Sequence, residues 1–156
     1  MLTIDIPGFG ELRLEHLVLD LNGTLAVDGV LLPGVAQRLE TLARSLSIHL
    51  ITADTHGLAQ PLAESLPVTL TVIAPENQDS AKGDYVQALG SAACAALGNG
   101  RNDALMLAKA RLGIALLQAE GAATDAVGNA DVLSLNITDA LDLLLRPKRL
   151  IATLRR

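Results

Sequence analysis

The sequence of 156 residues has no tryptophan, one tyrosine (Tyr85) and one phenylalanine (Phe9), although half of its residues are hydrophobic. Its core must therefore be assembled from Leu, Ala, Val and Ile, a composition that favours buried strands covered by Ala/Leu helices. The one cysteine, Cys94, excludes a disulfide framework within the chain. With no basic and then apolar leader in MLTIDIPGFG, the expected location is the cytoplasm. No apolar run approaches the roughly 18 residues that a membrane-spanning helix needs. The mean hydropathy of +0.38 is thus read as a dense core. Basic residues are also scarce, 12 against 17 acidic ones for a net charge of −5, which argues against broad nucleic-acid or anionic-membrane binding. The exception is the terminal RPKRLIATLRR, with Arg146, Lys148, Arg149, Arg155 and Arg156. It is read as a helix whose cations favour its C-terminal end, the alternative being a small anionic-ligand or nucleic-acid patch.

What is present alternates between strand and helix. Leu2, Ile4 and Ile6, then Leu12 and Leu14, flank Pro7-Gly8-Phe9-Gly10 and predict an N-terminal β-hairpin. An apolar strand follows over Leu17–Leu21. Pro33 opens a helix with Val35, Leu39, Leu42 and Leu46 at helical spacing. SIHLITAD is a second strand, followed by a helix from about His56 to Ser65. PVTLTVIAP is a third strand, and a helix from near Ser80 carries Val86 and Leu89. AACAALG is a fourth strand, weak in propensity. A helix over Asn102–Ala110, strands in LGIALL and ADVLSL, and a helix in ITDALDLLL complete the chain. Near-continuous apolar strands between amphipathic helices predict an α/β fold in which a mostly parallel sheet is covered on both faces. No linker divides the chain, so residues 1–156 are expected to form a single domain.

Ligands of such sheets bind beyond the carboxyl ends of the strands. Three polar clusters fall there: Asp20-Leu21-Asn22-Gly23-Thr24, Thr52-Ala53-Asp54-Thr55-His56 and Gly98-Asn99-Gly100-Arg101-Asn102-Asp103. Taken singly, each has an ordinary explanation: Asp54, Thr55 and Asp103 as helix caps, the glycines as turns, Lys82 as a solvated helix residue. Caps explain neither Asp20 at the end of a buried strand nor glycine on both sides of Asn99.

These clusters resemble the motifs of the haloacid dehalogenase (HAD) superfamily. LVLDLNGTL resembles its first motif, a strand followed by D-x-D-G-T; HLITAD resembles the second, Lys82 the third, and GNGRNDALML the fourth, G-D-x-x-x-D. The sixteen positions from Lys82 to Gly98, and GNGRNDA itself, are similar to the phosphorylation domain of P-type ATPases, as found in soluble P-type-ATPase-like HAD proteins. The resemblance implies a three-layer Rossmann-like fold. Only 32 positions separate Asp20 from Thr52, and 30 separate Thr52 from Lys82, too few for an inserted cap domain.

The resemblance also implies roles. Asp20 would be the nucleophile, forming an aspartyl-phosphate, with Thr52 and Lys82 stabilising the phosphoryl oxygens and Asn22 at the acid/base position. Backbone amides near Gly23 and Thr24, with Thr52, Ala53 and Lys82, would bind phosphate. Mg²⁺, a hard ion that prefers oxygen, would be held by Asp20, the carbonyl of Asn22, Asn99 and Asp103. Two residues depart from the pattern. Asn22 replaces an acid/base aspartate whose role is typically worth about 10²–10⁴-fold, and Asn99 replaces a carboxylate in the fourth motif, removing charge from the metal site. Asp54, His56 and Asp28 are alternative proton sources, each better explained by a cap or turn. The expectation is a slow Mg²⁺-dependent phosphohydrolase acting on a phosphorylated small molecule or acyl phosphate, with a homo-oligomer or a macromolecular substrate covering the capless mouth. The alternatives are a non-hydrolytic phosphate- or nucleotide-binding protein, or a phosphorylatable switch, and an ATPase-like phosphotransferase.

Overall fold

The computed structural model describes residues 1–54 and 57–156. Strands β1 (Leu2–Ile6) and β2 (Gly10–Leu14) pair antiparallel, Leu2 opposite Leu14 and Ile4 opposite Leu12. Their alternation buries Ile4, Ile6, Leu12 and Leu14 on one face, as a period of two requires. The chain then enters β3 (His16–Leu19), ending two residues before the expected Leu21. A small hairpin, β4 (Ala26–Val27) and β5 (Val30–Leu31), leads into α1 (Val35–Leu42). Strand β6 (Ser47–Thr52) precedes α2 (Ala59–Glu64), whose anticipated start at His56 lies outside the described residues. Strand β7 (Thr69–Val72), α3 (Gln78–Leu89) and β8 (Cys94–Gly98) follow. A 3₁₀ turn over Arg101–Asp103 then runs into α4 (Ala104–Lys109). Strand β9 (Leu112–Leu116), α5 (Thr124–Gly128), β10 (Val132–Ser134), α6 (Ile137–Leu145) and α7 (Pro147–Leu154) complete the chain.

Six strands form one parallel sheet in the order β10-β9-β8-β3-β6-β7. The chain starts at the centre in β3, moves out through β6 and β7, then crosses to β8 and moves out the other way. Its direction of progress therefore reverses between β3 and β8, which opens a crevice at the carboxyl ends of these two strands. Alternate residues of β3 face opposite layers. Leu17 and Leu19 belong to a core with α1 residues Val35 and Leu39 and α6 residues Ile137 and Leu141, and Val18 to a second core with Val86 of α3 and Met106 of α4. Between β3 and β6 stand only the β4–β5 hairpin and α1, and between β6 and α3 only α2 and β7, so no cap domain is inserted among the described residues. Among the described residues no helix is long and apolar enough to cross a membrane.

The terminal helix α7 differs from its expected charge arrangement. Lys148 and Arg149 lie in its first turn, and only Arg155 and Arg156 follow its end. Local pairing outweighs the helix dipole here. Arg149 Nη1 lies 3.4 Å from Asp142 Oδ2, Arg146 Nε 3.8 Å from the same oxygen, and Arg38 Nε donates to Asp142 Oδ1 at 2.8 Å.

Candidate active site

Asp20 leaves β3 with its amide still donating to the Leu97 carbonyl of β8 at 3.1 Å, so the sheet ladder fixes where its carboxylate emerges. Thr52 is the last residue of β6 and Gly98 the last of β8. Above them α3 presents Lys82, only 1% exposed. Its Nζ donates to Asp20 Oδ1 at 2.6 Å and to Asp103 Oδ1 at 2.7 Å. An ordinary surface lysine keeps its ammonium in water; this one is buried between two carboxylates.

The fourth motif is organised around Asp103. Its Oδ2 accepts the amides of Asn99 at 3.0 Å and Gly100 at 2.8 Å, while Oδ1 takes Lys82. Only glycine fits at position 98, because a β-carbon there would lie 2.5 Å from the Asp103 carboxyl carbon. Asp103, expected among the metal ligands, is fully buried and orients Lys82 and the Asn99 turn with both oxygens engaged. Asn99 donates Nδ2 to the Gly121 carbonyl at 3.1 Å, leaving its amide oxygen as the free end of the side chain.

These groups surround a pocket of about 290 Å³. Asp20, Asn22, Thr52, Ala53 and Lys82 line it from the first three motifs, and Asn99, Gly100 and Asn102 from the fourth. Gly23 and Thr24, expected to bind phosphate, do not face it. Their amides donate to the Ala26 and Leu21 carbonyls at 2.8 and 3.2 Å, which close the turn. Thr24 is buried behind the nucleophile, its Oγ1 3.4 Å from Asp20 Oδ2. Asp54 lines the pocket, yet its Oδ1 accepts the Leu58 and Ala59 amides at 2.9 and 3.0 Å and caps α2. Asp28 sits at positive φ in the β4–β5 turn, a conformation aspartate tolerates. His56 lies outside the described residues.

Burial, and next the Asp103 carboxylate, push the Asp20 carboxyl up to about 7 against the opposing pull of Lys82. Burial works to lower Lys82, but the two carboxylates outweigh it and hold the ammonium above its ordinary value. Two carboxylates and one ammonium carry a formal charge of −1, so the buried end of the pocket favours further positive charge. Among the described residues, no three His, Cys, Asp or Glu side chains come together as a metal centre. A hard cation would therefore have to draw on mixed oxygen donors, and Asp20, Asn22 and Asn99 all line the pocket.

Four participants were missed in the sequence. Gln118, in the turn after β9, donates Nε2 to the carbonyls of both Gly23 and Thr24 at 3.0 Å, and accepts the Ile137 amide on Oε1 at 2.7 Å. Glu120, two residues on, lines the pocket, as does Gln78. Gln78 accepts from Asn102 Nδ2 at 2.7 Å, tying α3 to the fourth motif, a contact that the place of Asn102 in its strand-end cluster and at a helix start does not signal. A glutamine or glutamate in a polar turn carries no local signal. Only the position of QAEG after an apolar strand, at the same sheet edge as the other motifs, could have pointed to it.

No family model matches this chain. Two uncharacterised proteins of Methanocaldococcus jannaschii are similar in sequence. One is 48% identical over 60 residues, 38% of this chain and 64% of that protein. The other is 45% identical over 42 residues, 27% of this chain and 96% of that protein. The match thus spans just under two thirds of the first relative's length. Among solved structures, the cobalt-bound deoxy-D-mannose-octulosonate 8-phosphate phosphatase of Haemophilus influenzae superposes with a TM-score of 0.71 at 11% identity, over 88% of this chain and 90% of that one. The 3-deoxy-D-manno-octulosonate 8-phosphate phosphatase of Moraxella catarrhalis, in complex with magnesium, phosphate and a KDO molecule, gives 0.67 at 17% identity over 90% and 93%. The catalytic domain of the CPx-ATPase CopB-B gives 0.57 at 23% identity, over 74% of this chain and 46% of that one. At such identities the structures speak for the fold of this chain alone, which is that of the haloacid dehalogenase phosphatases, while by sequence the chain belongs in one family with its uncharacterised Methanocaldococcus relative matched over 96% of its length.

Proposed function

We propose that the protein is a Mg²⁺-dependent phosphohydrolase that passes a phosphoryl group through Asp20, acting on a phosphorylated small molecule or an acyl phosphate. The observation that carries this reading is the buried Lys82, bonded to both Asp20 and Asp103 at the floor of a pocket lined by Thr52 and Asn99. Asp20 attacks phosphorus, the bond to the leaving group breaks, and an acyl phosphate forms on the enzyme. Water then attacks the same phosphorus, returning Asp20 and releasing inorganic phosphate. The Thr52 hydroxyl and the Lys82 ammonium bind the equatorial oxygens, and the Ala53 segment closes that side. Asp20, the Asn22 carbonyl and Asn99 would hold a Mg²⁺ ion, which when bound would supply charge neutralisation for the phosphoryl group. The phosphatases that share the fold, one with cobalt and one with magnesium and phosphate, support this assignment.

Asn22 faces the pocket where a proton donor is wanted, and Asp54 is committed to capping α2. Leaving groups that need no proton should therefore react best. The same observation favours a second reading, in which Asp20 accepts a phosphoryl group and holds it as a switch. The open mouth suits a second copy of the chain, with exposed Val30 on the β4–β5 hairpin and Leu58 ahead of α2 as apolar contacts. Gel filtration giving a monomer would exclude that arrangement.

The test is to incubate the protein with acetyl phosphate, ATP and a chromogenic aryl phosphate, with and without Mg²⁺, and to measure product and acid-stable protein phosphate. Turnover that Asp20→Asn abolishes is the expected result. Stoichiometric labelling without turnover would establish the switch, and the absence of both turnover and labelling would end both readings. Asn22→Asp should raise hydrolysis of alkyl phosphates by about 10²–10⁴-fold and that of acetyl phosphate much less.

A further inference from the structure

Asn99 stands where the motif resemblance leads one to expect a carboxylate, and the structure shows what the amide does instead. Its Nδ2 donates to the Gly121 carbonyl, while its own carbonyl accepts the Ala123 amide at 2.8 Å. The turn Gln118–Gly121 is closed by the Gly121 amide on the Gln118 carbonyl at 2.9 Å, and Gln118 clamps it to the Gly23–Thr24 backbone. Between these two anchors lies Glu120, whose side chain reaches back into the pocket that holds Asp20, Asn22 and Asn99. A β-carbon on Gly23 would sit 2.5 Å from Glu120 Oε2 and 2.5 Å from Asn99 Nδ2. Glu120 and Asn99 therefore converge over the same glycine of the first motif.

We infer that Glu120 supplies the divalent-cation site with the negative charge that Asn99 does not bring. The charge has been transposed from the fourth motif to the turn after β9. Asn99 contributes its amide oxygen and, by binding Gly121, fixes the turn that presents Glu120. An aspartate at position 99 could not do this, because its carboxylate would face the Gly121 carbonyl that Nδ2 now satisfies and would repel the Glu120 carboxylate beside it. Glu120 is exposed, so its carboxylate is not desolvated in the free protein and acts on the hydrated ion. Mg²⁺ keeps several of its waters when bound, and an outer carboxylate accepts hydrogen bonds from them.

This inference rests on the cation site of the proposed function, and isothermal calorimetry with Mg²⁺ and Mn²⁺ separates the two. Glu120→Gln should weaken binding by roughly 10- to 100-fold while the melting temperature in EDTA stays unchanged. The control Glu40→Gln, an exposed residue of α1, should leave affinity as it is. Asn99→Asp alone should bind no more tightly than wild type, and the exchange Asn99→Asp/Glu120→Gln should recover most of the lost affinity. Wild-type affinity in Glu120→Gln would overturn the inference and leave the cation site standing. No cation binding by the unaltered protein would overturn both.

Discussion

Lys82 holds two carboxylates together in a place with almost no access to water, so its charge cannot be removed without consequence. Lys82→Met leaves Asp20 and Asp103 facing one another and should cost about 3–5 kcal/mol at pH 8. The sign of the pH dependence follows from Asp20. Its folded pKa is already raised from 3.8 to about 7, and losing Lys82 raises it further. A carboxyl of this kind destabilises the fold as pH climbs from its unfolded value through its folded one. The deficit of Lys82→Met should thus shrink towards pH 5, as urea denaturation in EDTA would show; a deficit independent of pH would assign Lys82 a packing role instead. Residues such as Asp20, Thr52 and Lys82 were legible because motif order carried them. Glu120 and Gln118 were not, since their importance comes from contacts to residues some 95 positions away, such as Gly23.

At the scale of elements, apolar continuity identified the strands, including alanine-rich β8, whose five residues are all buried. Helix α5 was missed because five residues with a single buried alanine show no periodicity. The charges of α7 were legible in number but not in destination. Asp142 of α6 gathers Arg38 from α1 and Arg149 from α7, and so joins three helices that cover one face of the sheet. The hydrogen bond from Arg38, helped by the three arginine charges against partial burial, holds the Asp142 carboxyl below its ordinary 3.8. Its stabilisation is present above that value and disappears as pH falls through the lower folded one. Asp142→Asn should therefore cost about 1–3 kcal/mol at pH 7, with the difference from wild type closing below pH 3.8. Parallel thermal melts at both pH values decide it.

The whole molecule is knitted around β3, and its lone thiol tests that integrity. Cys94 opens β8, fully buried, with burial pushing its pKa up to about 11. A thiol so protonated and shielded reacts only when the sheet opens. Labelling by a disulfide reagent should therefore proceed at the rate of global unfolding, and rapid labelling of native protein would contradict the packing. The scarcity of aromatics noted at the outset now has a practical consequence. Tyr85 hydrogen-bonds through its hydroxyl to His49 on β6 and to Thr71 on β7, at 2.9 and 3.3 Å, with its ring edge-on to His49. It sits three residues beyond Lys82 on α3, and the chain has no other tyrosine and no tryptophan. Its emission is the whole of the protein's intrinsic tyrosine fluorescence, an optical signal that arises at one known place, a turn of helix from the buried Lys82, and needs no label to be read.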